Sequence, residues 1–426
     1  MEFGPFPGAS GHDRALALDA ADPIAAERAT FVVTDPDLLY LDGNSLGRLP
    51  AAASAVVGDV THRQWGDRLI RSWNEGWWEL PERLGALLAP VVGAGADEVL
   101  VSESTSTNLF KLAVAAARAR PGRTRIVTDD LNFPTDVHVL DGVARLLGGL
   151  EVEVVPSPDG VHGPDAALRA TLDDDVALVS LSHVAYRSGH VHDLAGLTSA
   201  AHEVGALVLW DCSHSVGSVP LGLAAAGADL AVGCSYKHLN GGPGAPAWLY
   251  VRRDLQQELE NPITGWFGHA EPFGFDLAFT PAEGIRRFHV GTTPVLSMAA
   301  AEAGFAQVAR VGIDAVRAKS VALTTFLVEQ SDEHLAPLGF TLASPRDPAV
   351  RGGHVALRHD DAWPITRALI EDAKVLPDFR SPDVLRLGLA ALTTSFLDVH
   401  TAVQRIATVV RDGLHEAHRG AEAVVT

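Results

Sequence analysis

LAVGCSYKHLNGGPGAP, Leu230 to Pro246, decides how the rest of the chain is read. A run of small apolar residues leads into Tyr236 and Lys237, and a glycine-rich turn follows at once. Strand formers of this kind carry the lysine to the edge of a buried sheet. Gly241, Gly242 and Gly244 let the backbone turn tightly and approach a ligand closely. A lysine amine in a partly desolvated pocket has a lowered pKa and can act as nucleophile or base, as a Schiff-base lysine must. A lone lysine after a strand is more often a solvated surface charge, so the reading depends on what accompanies it.

The first companion is WDCSH, Trp210 to His214. Asp211 closes another apolar strand, at the carboxyl end where open α/β sheets bind ligands. A buried carboxylate needs a cationic partner or it takes up a proton. A pyridinium nitrogen is such a partner. An aspartate on the pyridinium and a lysine on the aldehyde are the two groups that pyridoxal phosphate requires of a protein. The 26 positions from Asp211 to Lys237 predict one helical crossover and one strand, which puts both residues on one sheet edge.

A phosphate needs a cradle. SESTSTNLF, Ser102 to Phe110, joins a strand to a helix through hydroxyl residues, and Thr105 and Ser106 are the candidates. Ordinary N-capping is the competing account of the same residues. In LNFPTDVHV, Pro134 opens a helix, Asp136 falls in its first turn, and Phe133 is placed to stack on a flat ring or to join the core. GWFGHAEPF and RFHVGTTPVL offer the Trp266 indole and the Thr292 hydroxyl to a phosphate, reached from a second subunit. VLRLGLA sets Arg386 inside an apolar strand, where it must meet an anion. A substrate carboxylate or an internal ion pair would both serve.

Competing motifs are absent: no Walker A sequence, no GxGxxG after a strand and no HExxH. His183, His190 and His192 have no acidic or cysteine partner at a metal-ligand spacing, so no metal is expected. The two cysteines, Cys212 and Cys234, lie in apolar strand-like runs and read as buried small residues in a reducing compartment.

The 426 residues are 47% hydrophobic and carry a formal net charge of −20. A chain this acidic is a poor partner for nucleic acid or an anionic membrane. The N-terminus lacks a signal-peptide pattern, and no apolar run reaches the ~18 residues of a membrane span, so a cytoplasmic location is expected.

From about residue 99 strands and helices alternate. VLVSES, RIVTDD, EVEVVP, VALVSLSHV, LVLWDC, DLAVGCSY and AWLYV read as strands, with helices such as 136–147 and 194–204 between several of them. This is an α/β fold with a mostly parallel seven-stranded sheet. Residues 1–60 read as an N-terminal arm and part of a small domain, and 61–295 as the large cofactor-binding domain. Residues 296–426 read as a long connecting helix, within a helical stretch from Pro294 to about Glu333, and a smaller α+β domain.

Together these blocks resemble kynureninase, a pyridoxal-phosphate family of fold type I, the aspartate aminotransferase fold. LDGNSLG, RSWNEGWWELPERLG, NFPTD, GCSYKHLNGGPGAPA, GWFGHAEPF, RFHVGTTPVLSMAA and LPDFRSPDVLRLGLAALTTSF carry the likeness in order over roughly residues 35 to 412. The resemblance implies that Lys237 is the Schiff-base lysine, Asp211 the pyridinium partner and Phe133 the stacking ring. It places Thr105, Ser106, Asp136, His214, Tyr236, Trp266 and Thr292 around the phosphate and hydroxyl. It makes Arg386 the substrate-carboxylate clamp, with Asn44 and Trp73 bordering the substrate pocket and Tyr236 as a proton donor. It implies hydrolysis of L-kynurenine, 3-hydroxykynurenine or a ring-substituted analogue to an anthranilate and L-alanine, through aldimine and ketimine intermediates. That chemistry belongs to tryptophan catabolism, the kynurenine pathway and NAD biosynthesis, in a cytoplasmic homodimer with interface active sites. Ala185, His238 and the LAALTTSF block depart from the family pattern. β-Elimination, transamination or non-catalytic cofactor binding would share Lys237 and Asp211.

Overall fold

A computed structural model describes residues 11–420. The first ten residues of the expected arm lie outside the described residues, as do the last six. The N-terminal helix α1 (Gly11–Ala21) and helical segments at Ala51–Asp59 and Leu80–Val92 precede the strand–helix alternation. Its elements are β1 (Val99–Val101), α2 (Thr105–Arg118), β2 (Arg125–Asp129), α3 (Pro134–Leu147) and β3 (Glu151–Val155). Then come α4 (Asp165–Thr171), β4 (Val176–Ser182), α5 (Leu194–Glu203), β5 (Leu207–Asp211), β6 (Leu230–Gly233) and β7 (Trp248–Val251).

These seven strands form one sheet in the order β1-β7-β6-β5-β4-β2-β3, and β7 alone runs antiparallel to its neighbours β1 and β6. Successive strand residues face opposite ways. Val127, Val179, Leu181, Val208 and Trp210 join one core layer with Leu84, Leu88 and Phe305. Ile126, Leu178, Leu207 and Leu209 join another with Leu109, Leu112 and Leu140 of α2 and α3. Both faces are therefore covered, which is why the strands read as continuous apolar runs.

The parallel strands β2, β4, β5 and β6 end on one edge at Asp129, Ser182, Asp211 and Gly233, with Ser182 opposite Asp211 and Asp211 opposite Val232. The expected helical crossover between Asp211 and Lys237 does not form. Residues 212–229 run as turns and extended backbone. Gly217, Gly222 and Gly227 take positive φ there, and Pro220 interrupts the stretch.

The long helix expected from Pro294 to Glu333 is two helices, α6 (Val295–Val311) and α7 (Ile313–His334), broken at Gly312 with φ +86°. The break separates two packing duties. Met298, Phe305 and Val308 of α6 join the large-sheet core, whereas Leu323, Phe326 and Leu327 of α7 join a second core. Ala15, Leu18, Leu39 and Leu41 from the N-terminal region belong to that second core as well. It backs a four-stranded antiparallel sheet in the order β10-β11-β9-β8: β8 is Thr341–Leu342, β9 His354–Arg358, β10 Asp378–Arg380 and β11 Val384–Gly388. No helix among the described residues is long and apolar enough to cross a membrane.

Candidate active site

Strand β6 ends at Gly233, so Lys237 sits in the loop four residues beyond rather than on the strand itself. That loop is fixed at both ends. The Ser235 hydroxyl bonds the Pro246 carbonyl, and Gly241 N–H donates to the Ser235 carbonyl at 2.8 Å. The Tyr236 carbonyl accepts from Gly47 N–H at 2.7 Å, which ties the LDGNSLG loop to the lysine loop. No side chain fits at Gly47: a Cβ there would lie 2.4 Å from the Lys237 carbonyl.

Lys237 Nζ lies 2.8 Å from His214 Nε2. Burial pushes the His214 pKa well below its ordinary value, so the ring is neutral and its Nε2 can accept from the amine. Burial also lowers the pKa of Lys237. The amine stands 6.0 Å from the centre of the Phe133 ring and 6.0 Å from that of Tyr236. Phe133 is 39% exposed, and Tyr186 packs against it in a T-shaped pair with centroids 5.2 Å apart. The Phe133 loop is held by buried Asn132, whose Oδ1 accepts from Ser182 Oγ at 2.6 Å and from Phe133 N–H at 2.9 Å.

Asp211 Oδ1 accepts from Ser213 N–H at 2.8 Å. Its other neighbour is Asp136, also buried, with which it shares a hydrogen bond. Burial first, and the adjacent Asp211 carboxylate second, raise the pKa of Asp136 well above the ordinary carboxylate range, so Asp136 holds its proton. This places Asp136 at the carboxylate end of the site, beside Asp211, and not on the phosphate cradle.

On the cradle, the N-cap is Ser104: its Oγ accepts from Thr107 N–H at 3.3 Å. Thr105 and Ser106 are the first two helical residues, partly exposed, at the end where free N–H groups gather. Capping therefore falls to Ser104 and not to Thr105 or Ser106. The Tyr236 phenol is pushed up by the adjacent Cys234 sulfur and by burial, so it too keeps its proton.

Arg386 is 1% exposed on β11 and heavily engaged. It pairs with buried Asp378, directly opposite on β10, and donates to the Tyr186 carbonyl and, at 3.1 Å, to Ser45 Oγ. With its amide oxygen turned inward, Asn44 accepts from Arg386 Nε at 3.0 Å and Nη2 at 3.3 Å. The structure thus shows the internal ion pair: Arg386 is a buried arginine whose guanidinium nitrogens all meet protein partners. Asn44 reaches the site through Arg386. Asp378, Ser45 and Tyr186 were not singled out in the sequence. Asp378 had a signal, since the segment DFRSPDVLR folds back as a hairpin that sets it against Arg386.

Three expected residues stay apart. Trp266 and Trp73 join an aromatic cluster with Trp77, Trp78, Phe267 and Phe273. Thr292 is exposed. Among the described residues no hydrogen bond or ring contact joins any of them to Lys237 or Phe133.

A class-V aminotransferase model matches residues 80–348, and a kynureninase C-terminal domain model matches residues 316–406. The chain is 42% identical to a kynureninase of Pseudomonas fluorescens over 93% of its own length and 94% of that protein's. It is 44% identical to a kynureninase of Deinococcus radiodurans over 92% and 95%. The chain belongs to the kynureninase family. Among solved structures, a cysteine desulfurase from Thermococcus onnurineus superposes with TM-score 0.76 at 18% identity, covering 97% of this chain and 100% of that one. A C-DES variant with glycine covalently linked to its PLP cofactor superposes with TM-score 0.76 at 19% identity, covering 87% and 97%. These likenesses confirm the mostly parallel α/β sheet read from the strands and the fold type I architecture that the resemblance implies.

The cofactor is accordingly pyridoxal phosphate, and the enzyme is a kynureninase-like hydrolase acting on carbon–carbon bonds. The residues fit that cofactor. Asp136 Oδ2 and His214 Nδ1 are buried without hydrogen-bond partners, on residues that adjoin Asp211 and the Lys237 amine respectively. A protonated pyridine ring would satisfy the carboxylate pair, and the hydroxyl-rich start of α2 would take its phosphate.

Proposed function

We propose that the chain hydrolyses L-kynurenine or a ring-hydroxylated relative to an anthranilate and L-alanine, as a homodimer, with Lys237, Asp211 and Arg386 in the central roles. One observation carries the reading: the Lys237 amine, its pKa lowered by burial, lies 6.0 Å from the Phe133 ring and interacts electrostatically with Asp211 and Arg386. Bound pyridoxal phosphate supplies the electron sink for the carbanion that C–C cleavage releases.

The protein's own groups divide the remaining work. Arg386, held by Asp378, Ser45 and Asn44, turns its guanidinium edge to the substrate carboxylate. Lys237 Nζ, with its pKa lowered by burial, takes the α-proton as a base. Asp211 would hold the N–H of a bound pyridine ring, and protonated Asp136 keeps Asp211 from facing a second negative charge. Phe133 covers one ring face. The Tyr236 phenol, which stays protonated, donates to the three-carbon product as it forms. Assistance of this type contributes ~100- to 10,000-fold.

A second copy supports this site. Leu46, Leu49, Trp65, Leu69, Ile70, Phe273, Phe275 and Leu277 are exposed apolar side chains on the 46–70 and 273–277 segments, the latter beside the cluster that contains Trp266. Such a surface is suited to association, and a partner's Trp266 and Thr292 would then complete the phosphate cradle. Desulfuration is disfavoured although the superposed structures include a desulfurase. Cys212 and Cys234 are buried just past the ends of β5 and β6, and burial raises both thiol pKa values.

The test is turnover of kynurenine and 3-hydroxykynurenine side by side, with alanine and the anthranilate identified as products. Lys237→Ala should lose both turnover and the yellow colour of the lysine-bound cofactor. A normally coloured, active variant, or purified protein that binds cofactor but cleaves neither substrate, overturns the proposal.

A further inference from the structure

The fold brings together a group that sequence spacing hides. Asp165, at the start of α4, meets His190 and His192, 25 and 27 positions further on, so that one ligand atom from each lies within 4.8 Å of the others. His192 Nδ1 is 2.6 Å and His190 Nε2 3.9 Å from Asp165 Oδ1. We propose that Asp165, His190 and His192 form a zinc site distinct from the Lys237 site.

The independent observation is His190. It is 7% exposed, and neither ring nitrogen makes a hydrogen bond. A buried imidazole without partners is costly unless something meets it. Zn²⁺ binds imidazole nitrogen and carboxylate oxygen at about 2.0–2.2 Å, which separates tetrahedral ligand atoms by roughly 3.4 Å. The 3.9 Å gap needs only a small contraction. The 2.6 Å contact opens as Asp165 turns toward the ion.

The surroundings are those of a built metal site. Asp129 Oδ2 lies 3.1 Å from His192 Nε2, with both side chains 1% exposed. His192 thus spans two carboxylates, with Nδ1 bonded to Asp165 Oδ1, and an ion would take the place of the Nδ1 proton. The second oxygen of Asp165 accepts from Asp193 N–H at 3.1 Å, which orients that ligand too. The two rings stand nearly perpendicular, 4.9 Å apart. Gly163 closes one side: a Cβ there would lie 2.4 Å from His192 Cε1 and 2.6 Å from His190 Nε2, so only glycine allows this approach. Asp165 remains partly exposed, which gives the ion a way in and leaves a fourth position for water.

The ion would cross-link segments that matter for the cleft. Asp129 Oδ1 accepts from Leu131 N–H at 3.1 Å, two residues before Phe133, and His190 forms a β-bridge with Arg351 ahead of β9.

The experiment uses holoenzyme purified without a metal-affinity tag, stripped with a chelator and titrated with Zn²⁺ against a chromophoric competitor. The expected result is one tightly held zinc per chain, with X-ray absorption showing two imidazoles in its shell. His190→Gln should abolish that site while cofactor absorbance and circular dichroism are kept. Asp129→Asn should weaken it about 10- to 100-fold. Zinc bound equally by His190→Gln, an oxygen-only shell, or less than about a tenth of an equivalent retained by wild type overturns the proposal. The absorption spectrum of wild type decides the matter even if the variant does not fold.

Discussion

Asp42 is buried beside Asp378, and its carboxyl pKa is pushed up from 3.8 to about 6, chiefly by burial and next by the Asp378 charge. A carboxyl whose folded pKa lies above its unfolded one costs nothing below pH ~4 and opposes folding as pH rises through the folded value. The cost is about 1.6 kcal/mol at pH 5 and about 3 kcal/mol at pH 8, at ~1.4 kcal/mol per pH unit. Asp42→Asn removes the charge and keeps the shape. It should therefore stabilise the protein about 1.4 kcal/mol more at pH 8 than at pH 5. With unfolding entropy near 2.1 cal/mol/K per residue, the 426-residue chain has roughly 0.9 kcal/mol/K, so Tm should rise about 3 °C at pH 8 and about half that at pH 5. Calorimetry of matched holoproteins at both pH values measures this. A gain that does not change between pH 5 and pH 8, or a loss at pH 8, refutes the reasoning.

The remaining predictions concern the site itself. Gly388→Ala sets a Cβ 1.7 Å from Asn44 Oδ1 and should push Asn44 off Arg386; the overpacking should cost about 1–3 kcal/mol in denaturant unfolding and raise KM. Arg386→Lys loses the planar fork and should lower kcat/KM by about 10- to 100-fold, at 1.5–3 kcal/mol for charge-assisted hydrogen bonds; steady-state kinetics checks it. Asp136→Asn replaces a group that already holds its proton and should bind cofactor within about threefold of wild type, whereas Asp211→Asn should weaken binding at least about tenfold, a difference read by equilibrium cofactor titration.

What the sequence made legible followed a physical pattern. Asp211 and Phe133 announce themselves because each closes an apolar strand or opens a helix, and the parallel sheet gathers those ends at one edge. Arg386 stands out as a charge in an apolar strand. Its partners do not, because Asp378, Ser45 and the Tyr186 carbonyl come from three separate segments that only the finished fold joins. Asp165 is hidden from His190 and His192 for the same reason, with β4 lying between them in sequence. Glycines account for the misread elements. At Gly312, and at Gly217, Gly222 and Gly227, the backbone takes positive φ that apolar periodicity does not reveal.

The charge distribution around Lys237 has a logic of its own. His214, His238 and His354 are all buried, and burial holds each in its neutral form, His238 down to about 3. The positive charge nearby resides on Arg386 and Arg380, both anchored on Asp378. An amine among neutral imidazoles and facing fixed guanidinium charge is disfavoured as a cation, which is the state a nucleophile or base must leave. The same field favours a substrate carboxylate at Arg386. His238 therefore adds no charge: it is a buried neutral ring packed where a Cβ on Gly353 would come within 3.4 Å of it. His238→Phe should then leave the pH dependence of kcat/KM unchanged. A profile displaced by more than about half a pH unit would mean that this imidazole carries charge in the working enzyme, and that the amine is tuned by it rather than by burial.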